Sequence, residues 1–174
     1  MEETNIISDN TKRLIELLKQ RNIEYRVINH KAEGISSEVA EIRGNKPEEG
    51  CKAILFRWKT ISSKDYILCC VLGNLKVDVD KVKNMMNYSD IRMANLEELY
   101  NETKCQKGEV PPFGELFNIQ TIIDNELLKN EYIYFNAASF TMSVCLHIDE
   151  FKKLVVDNNK YRLENISDTS INNY

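Results

Sequence analysis

The sequence predicts an α+β domain in which a mixed, mostly antiparallel sheet of about seven strands is flanked by helices. Segments of apolar and β-branched residues recur along the chain, and most occur in pairs separated by short polar turns, as in β-hairpins. Helical patterns lie between these pairs in an irregular order, which disfavours a parallel sheet built from repeated strand–helix–strand units. The chain has 174 residues, of which 43% are hydrophobic, enough for one domain with its own core.

Two consecutive segments, Cys51–Lys59 and Lys64–Leu72, are the strongest strand candidates. The polar residues 60–63 between them suit a hairpin turn, and the second segment is apolar at nearly every position. A strand with so few polar positions is typical of a sheet that is covered on both faces. Further strands are predicted over residues 24–29, 76–79, 91–94, 131–136 and 141–147.

Capped or amphipathic segments predict five or six helices. The first begins near Asp9 or Asn10, either of which can cap it, and ends at about residue 21. Others are predicted over residues 36–43, 80–86, 96–104 and 149–155. Residues 9–156 therefore form the predicted domain. Residues 157–174 are rich in Asn and short of apolar anchors, so they are predicted to be a polar tail or a linker.

The charge balance limits how the protein could bind nucleic acid. The chain carries 23 basic and 27 acidic side chains, for a formal net charge of −4. A protein that coats nucleic acid without specificity needs a dominant basic surface, so that class is excluded. The net charge does not exclude a local basic pocket that binds one phosphate or one RNA end.

Cysteine and histidine usage indicates the compartment and the absence of a metal. Five cysteines, an odd number, and no secretory leader pattern predict reduced thiols and a cytoplasmic location. With only two histidines and no paired-cysteine spacing, neither a metal site nor a cofactor is expected. No segment approaches the ~20 apolar residues that span a bilayer, so no membrane partner is expected.

A short loop, residues 108–114 (GEVPPFG), holds two of the three prolines and two of the six glycines. Adjacent prolines Pro111 and Pro112 fix two φ angles near −65° and remove two N–H donors. Gly108 and Gly114 permit backbone angles that other residues resist. This pattern predicts a rigid loop that either supports a packing corner or forms the wall of a pocket.

Two isolated polar residues each have two interpretations. Lys52 lies near the start of an apolar strand, where it either extends its ammonium to solvent or contacts an anion or a carbonyl in a pocket. His30 either terminates a strand or lies at the rim of a cleft, where a neutral imidazole could bind a ligand. The remaining basic candidates form either a local basic surface or an ordinary solvated one: Arg43, Lys46, Arg57 and Lys59.

The usual motifs of covalent catalysis are missing from the sequence. There is no G-x-S-x-G elbow and no phosphate-binding glycine loop. Ser143 and His147 lie four residues apart on a predicted strand, but no third group would orient them, so His147 is interpreted as a strand-end histidine.

Several segments, taken together and in order, resemble the YbaK/EbsC-type aminoacyl-tRNA deacylases, a family that includes the insertion domain of bacterial prolyl-tRNA synthetases. The segments that carry the resemblance are His30, residues 37–44 (SEVAEIRG), 49–55 (EGCKAIL), 73–80 (GNLKVDVD), 94–99 (ANLEEL), 108–114 (GEVPPFG) and 136–139 (NAAS). The resemblance extends from about residue 14 to residue 155. It implies hydrolysis of tRNA that carries a wrong amino acid, chiefly alanine or cysteine on the proline tRNA.

The resemblance also implies roles for particular residues. Lys52 matches the functional lysine of the family, which contacts the substrate at the 3′ end, and is the predicted catalytic residue. The residues predicted to bind substrate are His30, Gly108, Val110, Pro111, Pro112, Phe113, Gly114, Asn136 and Ser139. Residues 136–141 lack the glycine-rich pattern of cysteine-specific relatives, which favours alanine on the proline tRNA.

Ester hydrolysis is consistent with the missing catalytic motifs. It needs a water molecule, a stabiliser for the developing oxyanion and a pocket that positions the carbonyl, but no protein nucleophile. The neighbouring ribose hydroxyl can help to orient that water. We therefore expect Lys52 and Gly108 to face one cavity, with His30 near its mouth.

The resemblance implies a tRNA acceptor end carrying a small amino acid as the partner, and a prolyl-tRNA synthetase domain in cis as a further one. The alternative function is a non-catalytic tRNA-binding or regulatory appendage of a synthetase. A structural linker domain within a synthetase complex is a third option. The deacylase predicts turnover, and the appendage predicts RNA binding without turnover. The linker domain predicts tight protein partners without RNA dependence.

Overall fold

The computed structural model describes residues 7–170, and within that range it contains five α-helices, three short 3₁₀ helices and ten strands. The α-helices are α1 (Asp9–Gln20), α2 (Ser36–Arg43), α3 (Val79–Met86), α4 (Leu96–Thr103) and α5 (Ile148–Val155). The strands are β1 (Arg26–Asn29), β2 (Cys51–Lys59), β3 (Lys64–Leu72), β4 (Lys76–Val77), β5 (Asp90–Met93), β6 (Gln120–Asp124), β7 (Tyr132–Asn136), β8 (Met142–His147), β9 (Tyr161–Glu164) and β10 (Ser167–Asp168). The 3₁₀ helices are Pro47–Glu49, Gly114–Phe117 and Asn125–Lys129.

The strands are divided among three sheets. The largest has the order β5–β2–β3–β6–β9, with antiparallel pairs around β2 and parallel pairs around β6. A three-stranded antiparallel sheet has the order β1–β8–β7, and β4 pairs with β10. The predicted α+β class, with mixed and mostly antiparallel pairing, is confirmed.

The predicted hairpin of β2 and β3 forms the centre of the large sheet. Its register pairs Cys51 with Leu72 and Lys59 with Lys64, as a turn over residues 60–63 requires. Alternate residues of β3 enter different clusters: Leu68 packs in the main core, and Ile67 packs in a second core on the other face. The prediction of a strand covered on both faces is confirmed.

The main core is built around aromatic side chains from three elements. Phe113 contacts Phe135 of β7 edge to face at 5.3 Å and Phe151 of α5 at 5.9 Å. All three side chains are fully buried, each stabilising the fold by about 1.5–3 kcal/mol. Leu14 and Leu18 of α1 close the same cluster.

The cap of α1 differs from the prediction. Ser8 caps the helix by accepting a hydrogen bond from the backbone N–H of Thr11. Asn10, one of the two predicted caps, is instead buried and donates to the carbonyl of Thr103 at 2.7 Å. A serine directly before the first helical residue thus satisfies one of the unpaired N–H groups of the first turn.

The prediction that residues from 157 onward form a polar tail was wrong for residues 161–168. Strand β9 adds a parallel edge to the large sheet beside β6, and β10 pairs with β4. Tyr161 and Ile166 are buried, and Asp124 accepts a hydrogen bond from the N–H of Ile166. Buried apolar side chains and strand pairing thus hold this polar segment against the domain, and residues 171–174 lie outside the described range.

Candidate active site

A small cavity lies where the two larger sheets meet. Gly50, directly before β2, forms a parallel bridge with Tyr134 of β7, and the cavity opens beside this junction. It has a free volume of about 40 Å³. The residues that line it are Gly34, Ser36, Val39, Arg43, Gly50, Cys51, Lys52, Ala53, Gly73, Gly108, Val110 and Asn136. Strands β2 and β7, helix α2 and four connecting segments that are distant in sequence therefore supply its walls.

Lys52 reaches this cavity from β2. Its ammonium donates a hydrogen bond to the carbonyl of Gly73 at 3.3 Å, and the side chain is half-buried. Burial lowers the pKa of Lys52, and the nearby positive charge of Lys76 lowers it further. The lysine is thus a pocket residue with an ammonium poised for an acceptor, the second of its two predicted interpretations.

Arg43 is a second cation in the same wall, and the sequence had offered it only as part of a basic or solvated surface. It ends α2, where Gly44 adopts a left-handed conformation with φ of 79° and turns the chain away. Its guanidinium donates to Asn45 Oδ1 at 3.0 Å and lies 5.7 Å from the ring centre of Tyr134. Burial lowers the pKa of Arg43 to about 10.

The charge in the cavity wall is uncompensated. No Asp or Glu is among the residues that line it. Neither Lys52 nor Arg43 forms an ion pair with a carboxylate of residues 7–170. Partly buried cations without a counter-charge are costly, so a site that keeps two of them is suited to a ligand that brings negative charge. These two cations form a local basic pocket, which the net charge of −4 does not exclude.

Two glycines bring backbone into the cavity wall. Gly108 has φ of 95°, and a Cβ there would lie 2.6 Å from the carbonyl oxygen of Gly34. A Cβ on Gly34 would in turn lie 2.6 Å from the ring of Phe140. Gly34 was missed in the sequence, although a glycine in the polar stretch between β1 and α2 is a signal for close approach of two backbones.

The proline loop is divided between the cavity and the core. Gly108 and Val110 line the cavity, as predicted. The other four predicted loop residues are buried behind the cavity and do not line it: Pro111, Pro112, Phe113 and Gly114. A Cβ on Gly114 would lie 2.2 Å from Thr121 Oγ1. The loop is therefore both a pocket wall and a packing corner.

The other predicted binding residues take different positions. Asn136 lines the cavity and donates to the carbonyl of Gly108 at 2.7 Å. His30 does not line it and instead lies 2.7 Å from Ser143 Oγ, which donates to Asn136. Ser139 bonds to Thr141 within the turn between β7 and β8 and does not line the cavity.

A larger groove continues from the cavity and shares Gly34, Ser36, Lys52, Ala53, Gly108 and Val110 with it. Its volume is about 790 Å³. The floor is apolar, and Ile35, Met93 and Leu96 remain 58%, 54% and 68% exposed along it. Lys76 and Lys107 also border the groove, and again no acidic residue does.

The described residues offer no ready metal centre. Across residues 7–170, no group of three or more His, Cys, Asp or Glu side chains is placed to hold an ion. None of the helices in that range has the length and apolar character needed to cross a membrane.

Residues 30–154 match the model of the aminoacyl-tRNA editing domain family, and the chain belongs to that family. Among curated relatives, the multifunctional Ser/Thr-tRNA deacylase ProXp-y of Escherichia coli K12 is 27% identical over 144 residues, which cover 82% of this chain and 86% of that protein.

Solved structures share the fold. A hypothetical protein, APE2540, superposes with a TM-score of 0.78 at 17% identity, covering 90% of this chain and 99% of the other. A candidate trans-editing enzyme for prolyl-tRNA synthetase superposes with a TM-score of 0.75 at 19% identity, covering 93% and 99%. These likenesses agree with the α+β architecture described above.

Proposed function

We propose that this editing domain hydrolyses the ester between a small amino acid and the 3′ end of a mischarged tRNA, and that it does so in the cavity between Lys52 and Gly108. The observation that carries the proposal is the pair of partly buried cations, Lys52 and Arg43, in a wall without any carboxylate. A tetrahedral ester intermediate develops one negative charge on its oxygen, and preorganised positive groups stabilise that charge.

The reaction balances without a protein nucleophile. The oxygen of a water molecule bonds to the ester carbonyl carbon, and the bond from that carbon to the ribose oxygen breaks. The departing ribose oxygen takes a proton that originates from the attacking water, leaving free amino acid and uncharged tRNA. Lys52 stabilises the oxyanion, while the carbonyl oxygen of Gly108 faces the positive α-ammonium of the substrate.

The adjoining groove suits the terminal nucleotides of the tRNA acceptor end. Its exposed apolar side chains offer a surface for a base, and Lys76 and Lys107 at its border supply positive charge for the phosphates of the strand. The cavity is much smaller than the groove, about 40 Å³ against about 790 Å³, so it is the part of the site suited to a small amino acid. The two volumes thus match the two parts of an aminoacyl-tRNA end.

Alanine on the proline tRNA is the proposed substrate, and serine is a second candidate. Alanine follows from the sequence resemblance and the small volume. Serine is favoured by the 27% identical relative named as a Ser/Thr-tRNA deacylase, and by Ser36 and Asn136 in the wall, which could bind a hydroxyl.

A deacylation panel tests the function. Purified protein is incubated with the proline tRNA charged either with alanine or with proline. Ser-tRNA and Thr-tRNA are tested in parallel, and Leu-tRNA serves as a bulky control. We expect release of alanine or serine well above the uncatalysed rate, and none of leucine. Rates equal to the uncatalysed ones throughout, with tRNA bound, would establish the non-catalytic appendage instead.

We further propose a prolyl-tRNA synthetase, fused in cis, as the protein partner of this domain. The support is the sequence resemblance to the synthetase insertion domain. The test is co-purification of the full-length protein with synthetase activity for proline. Its absence would leave tRNA as the domain's partner.

A further inference from the structure

A chain of hydrogen bonds leads from His30 to the backbone carbonyl of Gly108 in the cavity wall. His30 Nε2 lies 2.7 Å from Ser143 Oγ, Ser143 Oγ lies 2.9 Å from Asn136 Oδ1, and Asn136 Nδ2 lies 2.7 Å from the oxygen of Gly108. Ser143 is fully buried and Asn136 is 7% exposed. The two residues are direct cross-strand neighbours on β8 and β7, so the strand register itself brings them together.

The direction of each hydrogen bond in this chain follows from the available protons. Asn136 Nδ2 faces two carbonyl oxygens, those of Gly108 at 2.7 Å and Glu33 at 3.3 Å, which can only accept. The amide is therefore oriented with Oδ1 toward Ser143, and the single hydroxyl proton of Ser143 is committed to it.

Two further side chains contact the Ser143 hydroxyl. Arg43 Nη1 donates to Ser143 Oγ at 3.3 Å, and His30 Nε2 lies 2.7 Å from the same oxygen. His30 Nδ1 in turn lies 2.8 Å from the carbonyl oxygen of Lys31. Removing its hydroxyl would leave a buried Asn136 oxygen without a donor.

We infer that Ser143 is a positioning residue of the deacylation site: through Asn136 it holds the carbonyl oxygen of Gly108 where the α-ammonium of the substrate binds. The inference deepens the proposed function and rests on it. Gly108 needs such a restraint because a residue without a Cβ has fewer steric limits on its backbone angles than other residues have. A displaced contact group can lower the rate without weakening the binding of the tRNA.

The test compares Ser143→Ala with Ser143→Thr in single-turnover deacylation, with Ser89→Ala as the matched control. Ser89 bonds only to the carbonyl of Lys59, in a turn away from the cavity. We expect Ser143→Ala to lower kcat about tenfold with KM changed less than about twofold. Ser143→Thr keeps the hydroxyl and should recover most of the rate, whereas equal losses in both variants would overturn the inference.

A double-mutant cycle separates positioning from a general loss of structure. If Ser143 acts through Asn136, Ser143→Ala combined with Asn136→Ala should be no slower than Asn136→Ala alone. If the losses in kcat of the two single variants multiply in the double variant, the inference that Ser143 acts through Asn136 is contradicted. Should the Ser143 variants fail to fold, the half-exposed His30 gives a second pair: His30→Gln keeps a polar group that can bond to Ser143 and should exceed His30→Leu in rate.

A measurement that does not use activity keeps the two proposals apart. Exchange of the Asn136 side-chain amide protons with solvent can be followed by NMR in the free protein. We expect exchange about tenfold faster in Ser143→Ala than in the wild type, because the orienting partner is lost. Unchanged exchange refutes the positioning role. A wild type that deacylates nothing on the panel refutes the proposed function instead, while the exchange result still decides the role of Ser143.

Discussion

The cavity and the groove share one wall, yet they differ in every property that matters for a substrate. The cavity is small, its lining combines polar groups with small apolar side chains, and it holds the partly buried Lys52 and Arg43. The groove is about 790 Å³, apolar and open, with lysines near its edges. This contrast separates chemistry from binding: changes in the cavity should lower kcat, and changes in the groove should raise KM.

Replacing Lys52 by Met should give the largest effect. Methionine keeps the length of the side chain but removes the charge that stabilises the oxyanion, so kcat should fall by about 10²–10³-fold. The domain should remain at least as stable as the wild type, because a partly buried, unpaired charge is removed. Single-turnover deacylation and thermal unfolding measure the two, and a fully active Lys52→Met protein would show that the cavity is not the catalytic site.

The pH dependence of stability provides a companion measurement for Lys52. Its pKa is lowered in the folded state, mainly by burial, so the folded protein binds this proton less tightly than the unfolded chain. The cost of the buried charge is fully present below the lowered pKa and is relieved as the pH rises toward the ordinary value of 10.5. In this alkaline interval, the stability advantage of Lys52→Met over the wild type should shrink.

Gly108→Ala should have the second largest effect, with Gly44→Ala as its matched control. Both glycines have positive φ, 95° and 79°, but only at Gly108 would a Cβ meet backbone, at 2.6 Å from the oxygen of Gly34. We expect Gly108→Ala to lower kcat by about 10²-fold through displacement of the cavity wall. Gly44→Ala should cost about 1 kcal/mol of stability and leave the rate unchanged. Equal kinetic effects would mean that the loop is only structural.

Leu96→Glu should change binding without changing chemistry. Leu96 is 68% exposed in the groove at the start of α4, where an acidic residue suits the helix, so stability should be kept. The new charge should repel the RNA and raise KM about tenfold at unchanged kcat. Ile61→Glu, in the exposed turn of the β2–β3 hairpin, adds the same charge elsewhere. A similar rise in KM for both variants would assign the effect to net charge.

The smallest effect is expected from the lysines that border the groove. Lys107→Gln should weaken tRNA binding a few-fold. The slope of log K against log salt concentration should become shallower by about one, because one phosphate contact is lost. Lys64→Gln, on the exposed start of β3, is the control and should not alter the slope. Binding measured between about 50 and 200 mM salt distinguishes the two. Equal slopes for the wild type and both variants would contradict the proposal that phosphates of the tRNA bind along the groove.

The sequence predicted the elements whose signals are local. The hairpin of β2 and β3 and the helices α2 and α4 all follow from short-range patterns, and the structure contains each of them. No strand was predicted at β6. Its β-branched residues suit a strand, but its place depends on distant segments, because it lies parallel between β3 and β9. The ordering of β9 depends on the same long-range pairing.

The site was predictable where a residue stands out in its own segment. Lys52 in an apolar strand and Gly108 beside a double proline are visible in the sequence, and they face one cavity. Arg43 and Ser143 were not visible as site residues, because an arginine near a turn and a serine in a strand are ordinary. Their importance comes from burial and from the cross-strand pairing that places Ser143 beside Asn136.

The most direct test of the account is a crystal structure with a non-hydrolysable 3′-alanylamino analogue of the terminal adenosine. We predict that the carbonyl oxygen of the analogue lies about 3 Å from Lys52 Nζ. Its α-ammonium should face the Gly108 carbonyl, and its base should lie in the groove beside Leu96. An analogue bound with its alanyl group outside this cavity, with Lys52 still bonded only to Gly73, would contradict the assignment of the cavity as the deacylation site.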